Sequence, residues 1–208
     1  MVWKDMIKKL FKFSLFVVFL TTGSILQAEP YSLENISQYL KNLKFLKADF
    51  AQTNPDETMS SGIILIKRPG RMRFEYHKPD KTLVLVSAGV LAVFDPKGDE
   101  TPLSYPIRNN PISLILKNDL DLLNSGIVAN YKVSPKKAIL TIKDQKNPER
   151  GSVDLVFSGT KPELKEFTIK NENGSYTSIL LKEIEYPKKL NETLFSISLE
   201  TNKRRQKD

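Results

Sequence analysis

The side chains that could do chemistry are few, and their spacing argues against catalysis. His77 is the only histidine and there is no cysteine. A histidine metal cluster and thiol catalysis are therefore excluded, and a Ser-His-Asp triad would have to use His77. His77 precedes Lys78-Pro79 at the end of a strand pattern and reads as a turn residue. Paired carboxylates could support glycoside hydrolysis, but Asp and Glu are scattered through polar turns, and Asp49 and Asp95 read as structural. The glycines form neither a phosphate-binding loop nor a dinucleotide fingerprint. What remains is Arg68, in the turn Lys67-Arg68-Pro69-Gly70-Arg71, which folds one apolar strand back onto the alternating Met72-Arg73-Phe74-Glu75-Tyr76. An arginine at the tip of an oily hairpin points to a handler of greasy cargo.

Loop length decides where that arginine points. If only Pro69-Gly70 turn, Arg68 pairs with Arg71 and is a solvated charge on the face of Arg73 and Glu75. If Pro69, Gly70 and Arg71 form a three-residue loop, Arg68 pairs with Met72. Ile64, Ile66 and Arg68 then share a face with Phe74 and Tyr76, and the guanidinium borders an apolar interior, where it would seek backbone carbonyls at a helix end. Met72, Phe74 and Tyr76 suit the wall of an adaptable cavity, and ordinary core packing is the rival reading.

The elements that would position these residues follow from periodicity and punctuation. Ser32 caps a helix carrying Leu33, Ile36, Leu40 and Leu43 at spacings of three and four. Turn signals then separate short strands: Lys47 to Thr53, Gly62 to Lys67, Met72 to His77, Thr82 to Ser87, Leu91 to Phe94, Val128 to Val133, Ala138 to Lys143, Gly151 to Ser158, Leu164 to Lys170, Tyr176 to Ile184 and Leu194 to Leu199. They suit one strongly curved, barrel-like antiparallel sheet. Between two groups of strands, Asn110-Pro111 starts a short helix through Leu116, and a further turn or two spans Asp119 to Asn124. Ile112, Leu114, Ile115 and Leu116 either cover an open barrel end as a lid or plug it as core.

The chain opens with a leader: Lys4, Lys8, Lys9 and Lys12 against Asp5, then an apolar run from Phe13 to Leu20. This reads as a signal peptide of residues 1–28, cut after Ala28, with Leu26 leaving an uncleaved anchor as the alternative. Residues 29–200 form one domain, long enough to bury a core without disulfides. Residues 201–208 read as a basic, disordered tail. The net charge of +8 falls to +5 without residues 1–28, and basic residues spread along an exported chain argue against nucleic acid.

In this order, Phe50-Ala51-Gln52, Gly62, Lys67-Arg68-Pro69-Gly70-Arg71-Met72-Arg73-Phe74, Pro79-Asp80, Leu83 to Ser87 with Gly89, Phe94-Asp95-Pro96, Asn110-Pro111-Ile112 with Leu114-Ile115-Leu116, and Phe167-Thr168-Ile169 resemble the outer-membrane lipoprotein carrier (LolA) family. The resemblance covers most of residues 32–199 and implies an unclosed β-barrel with an N-terminal helix and short lid helices over a hydrophobic cavity. It also implies a monomeric periplasmic carrier of acylated lipoproteins, with no cofactor and no chemistry of its own. Its partners would be an inner-membrane ATP-driven release complex and an outer-membrane lipoprotein receptor. The site implied is Arg68, aligned with the family's functional arginine, with Ile64, Ile66, Met72, Phe74, Tyr76, Ile112, Leu114, Ile115 and Leu116 as cavity and lid. Phe195-Ser196-Ile197-Ser198-Leu199 lacks the proline that often follows the family's last strand. Two other classes stay open: an envelope-stress sensor using a related half-barrel, and, far behind, a lipid-acting hydrolase.

Overall fold

The structure, a computed structural model, describes residues 31–98, 100–118 and 120–206; the expected leader and its cleavage site lie outside them. Helix α1 spans Leu33–Asn42, with the Ser32 side chain accepting from the Asn35 N–H. Eleven strands follow: β1 Phe45–Thr53, β2 Met59–Lys67, β3 Arg71–Tyr76, β4 Leu83–Ser87, β5 Val90–Phe94, β6 Leu103–Pro106, β7 Val128–Ser134, β8 Lys137–Lys143, β9 Ser152–Ser158, β10 Glu163–Lys170 and β11 Tyr176–Glu185. All pair antiparallel in one sheet of order β6-β5-β4-β3-β2-β1-β11-β10-β9-β8-β7. Two meanders thus meet where β1 pairs with β11. Edge strands β6 and β7 do not pair with each other, so the barrel is unclosed, and residues 107–127 link them. Among the described residues no helix is long and apolar enough to cross a membrane.

Alternation builds the interior. In β8 and β9, and in β2 from Gly62 on, every second residue is buried, so each strand sends one row of side chains to the concave side and one to the convex side. Strand β4 departs from this: Leu83, Leu85 and Val86 are all buried. Val84 and Val86 belong to the concave core, whereas Leu83 and Leu85 join Ala92, Phe94 and Ile197 in a second cluster on the convex face.

The covering of that second cluster corrects the C-terminal reading. Leu194 to Leu199 is not a strand. Glu192–Phe195 is a 3₁₀ turn and Ile197–Arg205 is helix α2, capped by Asn191 and Ser196, whose side chains accept from the Thr193 and Leu199 N–H groups. Residues 201–205, expected in a disordered tail, are helical for a physical reason. Arg204 reaches back to Glu200 at 3.6 Å and lies 4.9 Å from the Phe94 ring centre, and Lys203, Arg204 and Arg205 stand where the helix dipole favours cations. Strand β6 was not anticipated, and residues 120–124 form a turn instead of a helix. Asp121 holds that turn by accepting from the Leu123 N–H and the Asn124 amide, local bonds that compete with a helix.

Phe195 is buried where its turn packs on β3 and β4. Phe195→Ala should lower stability by about 3 to 5 kcal/mol in urea unfolding; an unchanged midpoint would mean the C-terminal segment does not hold the convex face.

Candidate functional site

The β2–β3 hairpin has a three-residue loop, but not the one anticipated. Lys67 pairs with Arg71, Ile66 with Met72 and Ile64 with Phe74, so Arg68, Pro69 and Gly70 form the loop and Arg68 faces no strand partner. Gly70 takes the positive φ of 71° that the turn requires. This register keeps the face expected of a three-residue loop: Ile64, Ile66, Met72, Phe74 and Tyr76 all lie on the concave side, in or against the main core.

Freed from strand pairing, the Arg68 side chain turns inward and is 8% exposed. Its Nε and Nη2 donate to the Lys117 carbonyl at 3.1 and 2.7 Å. Its Nη1 donates to the carbonyls of Leu40 and, at 3.3 Å, Leu43. Leu40 lies in the last turn of α1 and Leu43 is its C-cap, positions whose carbonyls lack helical partners and carry the negative end of the helix dipole. The loop backbone makes the same connections: Arg68 N–H donates to Lys44 O at 2.8 Å and Gly70 N–H to Leu116 O at 2.9 Å. A buried cation that would be costly alone is thus answered by acceptors from two separate segments.

The second segment carries the anticipated lid residues. Asn110 caps the 3₁₀ turn Pro111–Leu114, its side chain accepting from the Ile112 N–H at 3.0 Å, with Pro111 in the first position. The helix is shorter and tighter than anticipated. Ile112, Leu114, Ile115 and Leu116 are buried in one cluster with the hairpin wall, and the turn packs on β8, β9 and β10. This segment therefore fills the concave side between opposite walls, and in this conformation its residues plug the barrel.

At the far end of the hairpin, Gly62 lies opposite Phe50 on one side and Tyr76 on the other. With no side chain there, the Phe50 ring meets Tyr76 edge-on at 5.2 Å and Phe74 at 5.3 Å. Tyr76 OH donates to Gln52 Oε1 at 2.8 Å, and burial pushes its pKa up. His77, just beyond, is exposed, and its backbone N–H donates to Ser61 O.

Sequence reasoning missed the convex side of the same hairpin. Lys67 bonds Glu192 and the Leu190 carbonyl, Arg71 Nε lies 3.1 Å from Glu192, and Arg73 donates to Leu194 O at 3.1 Å. The hydrogen bond from Lys67 holds the Glu192 carboxyl below its ordinary value. Lys67, Arg71 and Arg73 alternate along the hairpin opposite the apolar row and share their face with Ile63 and Leu65, a signal that this face had a partner.

The model of a family described as outer membrane lipoprotein carrier protein LolA matches residues 41–198. A Coxiella burnetii protein named outer-membrane lipoprotein carrier protein is 27% identical over 187 residues, 83% of this chain and 85% of its own. A Methylococcus capsulatus protein of the same name is 23% identical over 197 residues, 90% of this chain and 93% of its own. The crystal structure of a LolA superfamily protein from Nitrosomonas europaea aligns with a TM-score of 0.43 at 13% identity, over 79% of this chain and 95% of that one.

Two outcomes follow from this geometry. A Cβ at Gly62 would lie 2.1 Å from the Glu75 carbonyl oxygen and 2.9 Å from the Phe50 ring, so Gly62→Ala should cost about 1 to 3 kcal/mol and alter the near-ultraviolet dichroism of the aromatic trio. Because the folded pKa of Glu192 is depressed, its contribution is present above its unfolded value and is lost as pH falls through the folded one. Acid titration of stability should therefore fall less steeply in Glu192→Gln than in the wild type below the ordinary carboxylate range; parallel curves would remove Glu192 from the clamp.

Proposed function

This chain belongs to the family of outer membrane lipoprotein carrier proteins, LolA, and from that membership we propose that it is a periplasmic carrier that shelters the acyl chains of lipoproteins and shuttles them from the inner to the outer membrane. In this reading the donor is an inner-membrane ATP-driven release complex and the acceptor an outer-membrane lipoprotein receptor. The carrier works as a monomer and breaks no bond.

The observation that supports this reading most is the set of bonds from Arg68 to the carbonyls of Leu40, Leu43 and Lys117. They tie α1 and the apolar segment around Ile112–Leu116 to a hairpin whose inner wall is Ile64, Ile66, Met72, Phe74 and Tyr76. Arg68 acts as the latch, and those apolar residues line the space that acyl chains take when the plug leaves.

Magnitudes explain why a carrier needs such a latch. Burying acyl methylenes gains about 0.8 kcal/mol each, so a dozen give roughly 10 kcal/mol. Unopposed, that would hold cargo for too long to deliver it. Opening must give up hydrogen bonds to a charged donor, each worth about 1.5 to 3 kcal/mol, and the contacts of the plug itself. These losses are subtracted from cargo affinity and bring it into a reversible range.

Native mass spectrometry of residues 29–208 with triacylated and unacylated forms of one lipoprotein tests the carrier. A one-to-one complex with the acylated form only is the expected result; binding to neither favours the envelope-stress sensor. Arg68→Leu should stay folded by circular dichroism and release acylated lipoprotein at least about tenfold more slowly, the change that losing one such hydrogen bond corresponds to. An unchanged off-rate would sink the latch.

A further inference from the structure

The latch end of the sheet carries charge that neither the latch nor the convex clamp uses. Strands β8, β9, β10, β11 and β1 end in connections on two sides. On the latch side these are residues 43–44, 135–136, 159–162 and 186–191, and their charged residues are Lys44, Lys136, Lys161, Lys188 and Lys189, with no carboxylate. On the opposite side the connections of the same strands hold Asp56, Glu57, Asp144, Glu149 and Glu172 against Lys146 and Arg150.

Bonds fix these lysines around α1 and the Arg68 loop. The Lys44 carbonyl accepts from Arg68 N–H, and Lys117, the sixth lysine, accepts from the Arg68 side chain. Leu190, directly after Lys188-Lys189, gives its carbonyl to Lys67. Tyr31 OH donates to the carbonyls of Lys136 and Gly159, joining the β7–β8 and β9–β10 turns at the start of α1. All six lysines are exposed, and among the described residues none has a carboxylate partner, whereas neighbouring Lys41, Lys47 and Lys67 pair with Asp121, Glu185 and Glu192.

We propose that this lysine collar is a docking surface for the anionic phospholipid headgroups of a bilayer, turning the latch end toward the membrane from which acyl chains are taken. The proposal rests on the carrier reading for its purpose but not for its test. Charge complementarity carries it, and the residue types favour lipid over an acidic protein face. Lysine is a flexible point charge without the fixed fork of arginine, suited to headgroups that move. Leu123 and Tyr186 are also exposed near α1, Tyr186 through its 3.0 Å bond to Tyr39 and Leu123 beside Asp121, which faces Lys41. They add shallow apolar contact of the kind an interface accepts. Each lysine near an anionic surface is worth roughly fivefold in affinity, screened by salt, so docking is strong enough to orient and weak enough to reverse.

Flotation of cargo-free residues 29–208 with phosphatidylcholine vesicles, and with vesicles also carrying phosphatidylglycerol, tests the collar. Wild type should float only with the anionic vesicles and dissociate as salt rises. Replacing Lys44, Lys161, Lys188 and Lys189 together by Gln should weaken this at least tenfold, while replacing Lys78, Lys81, Lys97 and Lys146, an equal charge change elsewhere, should leave it intact. No flotation at low salt, or equal loss in both variants, overturns the proposal. Slowed cargo uptake from a membrane-embedded donor by the collar variant, without vesicle binding by wild type, would assign the lysines to an acidic protein instead. The native mass spectrometry experiment judges the carrier reading separately, since it contains no vesicle.

Discussion

A buried guanidinium has to be answered by acceptors, and this requirement organises one whole end of the molecule. Arg68 cannot stay in the interior without the carbonyls of Leu40, Leu43 and Lys117. Two of these belong to the end of α1, where the helix itself leaves carbonyls unpaired. Neither side is satisfied alone: the helix end needs donors and the cation needs oxygen. Their meeting fixes α1, the β2–β3 loop and the end of the plug relative to one another. It is also a contact of a particular kind, because a long charged side chain displaced from it would find water, whereas an apolar contact in the same place would have no second option.

The hairpin that presents Arg68 is held on both faces, and each face protects the other. A one-residue slip would carry Ile64, Ile66, Met72 and Phe74 outward and Lys67, Arg71 and Arg73 inward. The first group would lose its core and the second would lose Glu192 and the Leu190 and Leu194 carbonyls. Register is therefore specified twice, by burial inside and by charge outside. That rigidity lets a three-residue loop place one guanidinium accurately against a helix end more than twenty residues earlier in the chain.

Much of this was legible in the sequence, and the failures have physical causes. Ser32 with its apolar spacing marked α1, and Asn110-Pro111 marked the start of the plug, because caps are local chemistry. The inner hairpin face was legible because alternation is local too. The loop register was not, since the partners that draw Arg68 out of strand pairing lie at Leu40, Leu43 and Lys117 and no local rule refers to them. The C-terminus misled because Phe195-Ser196-Ile197-Ser198-Leu199 alternates like a strand, while Asn191 and Ser196 cap helical turns. One signal could have corrected it. Leu83-Val84-Leu85-Val86 is an unbroken apolar run, as are Ile63-Ile64-Leu65-Ile66 and Val90 to Phe94, and strands apolar on both faces call for a cover on each. Something had to cover the convex side, and among the described residues the C-terminal segment does so.

Ile112, Leu114, Ile115 and Leu116, which the sequence leaves as either lid or plug, fill the concave side in this structure, and their opening as a lid belongs to the carrier proposal. An apolar chamber open to water would expose the surface that the sheet curves to hide, so an empty carrier has to fill it. Filling it with the chain's own residues would cost nothing that an apolar ligand could not replace, because one apolar group substitutes for another at nearly constant burial. Under the carrier proposal, what cargo methylenes would not replace is the set of hydrogen bonds at Arg68, since hydrocarbon offers no acceptor. On that proposal the balance between empty and loaded states would be set less by the apolar residues, which exchange like for like, than by the one cation among them.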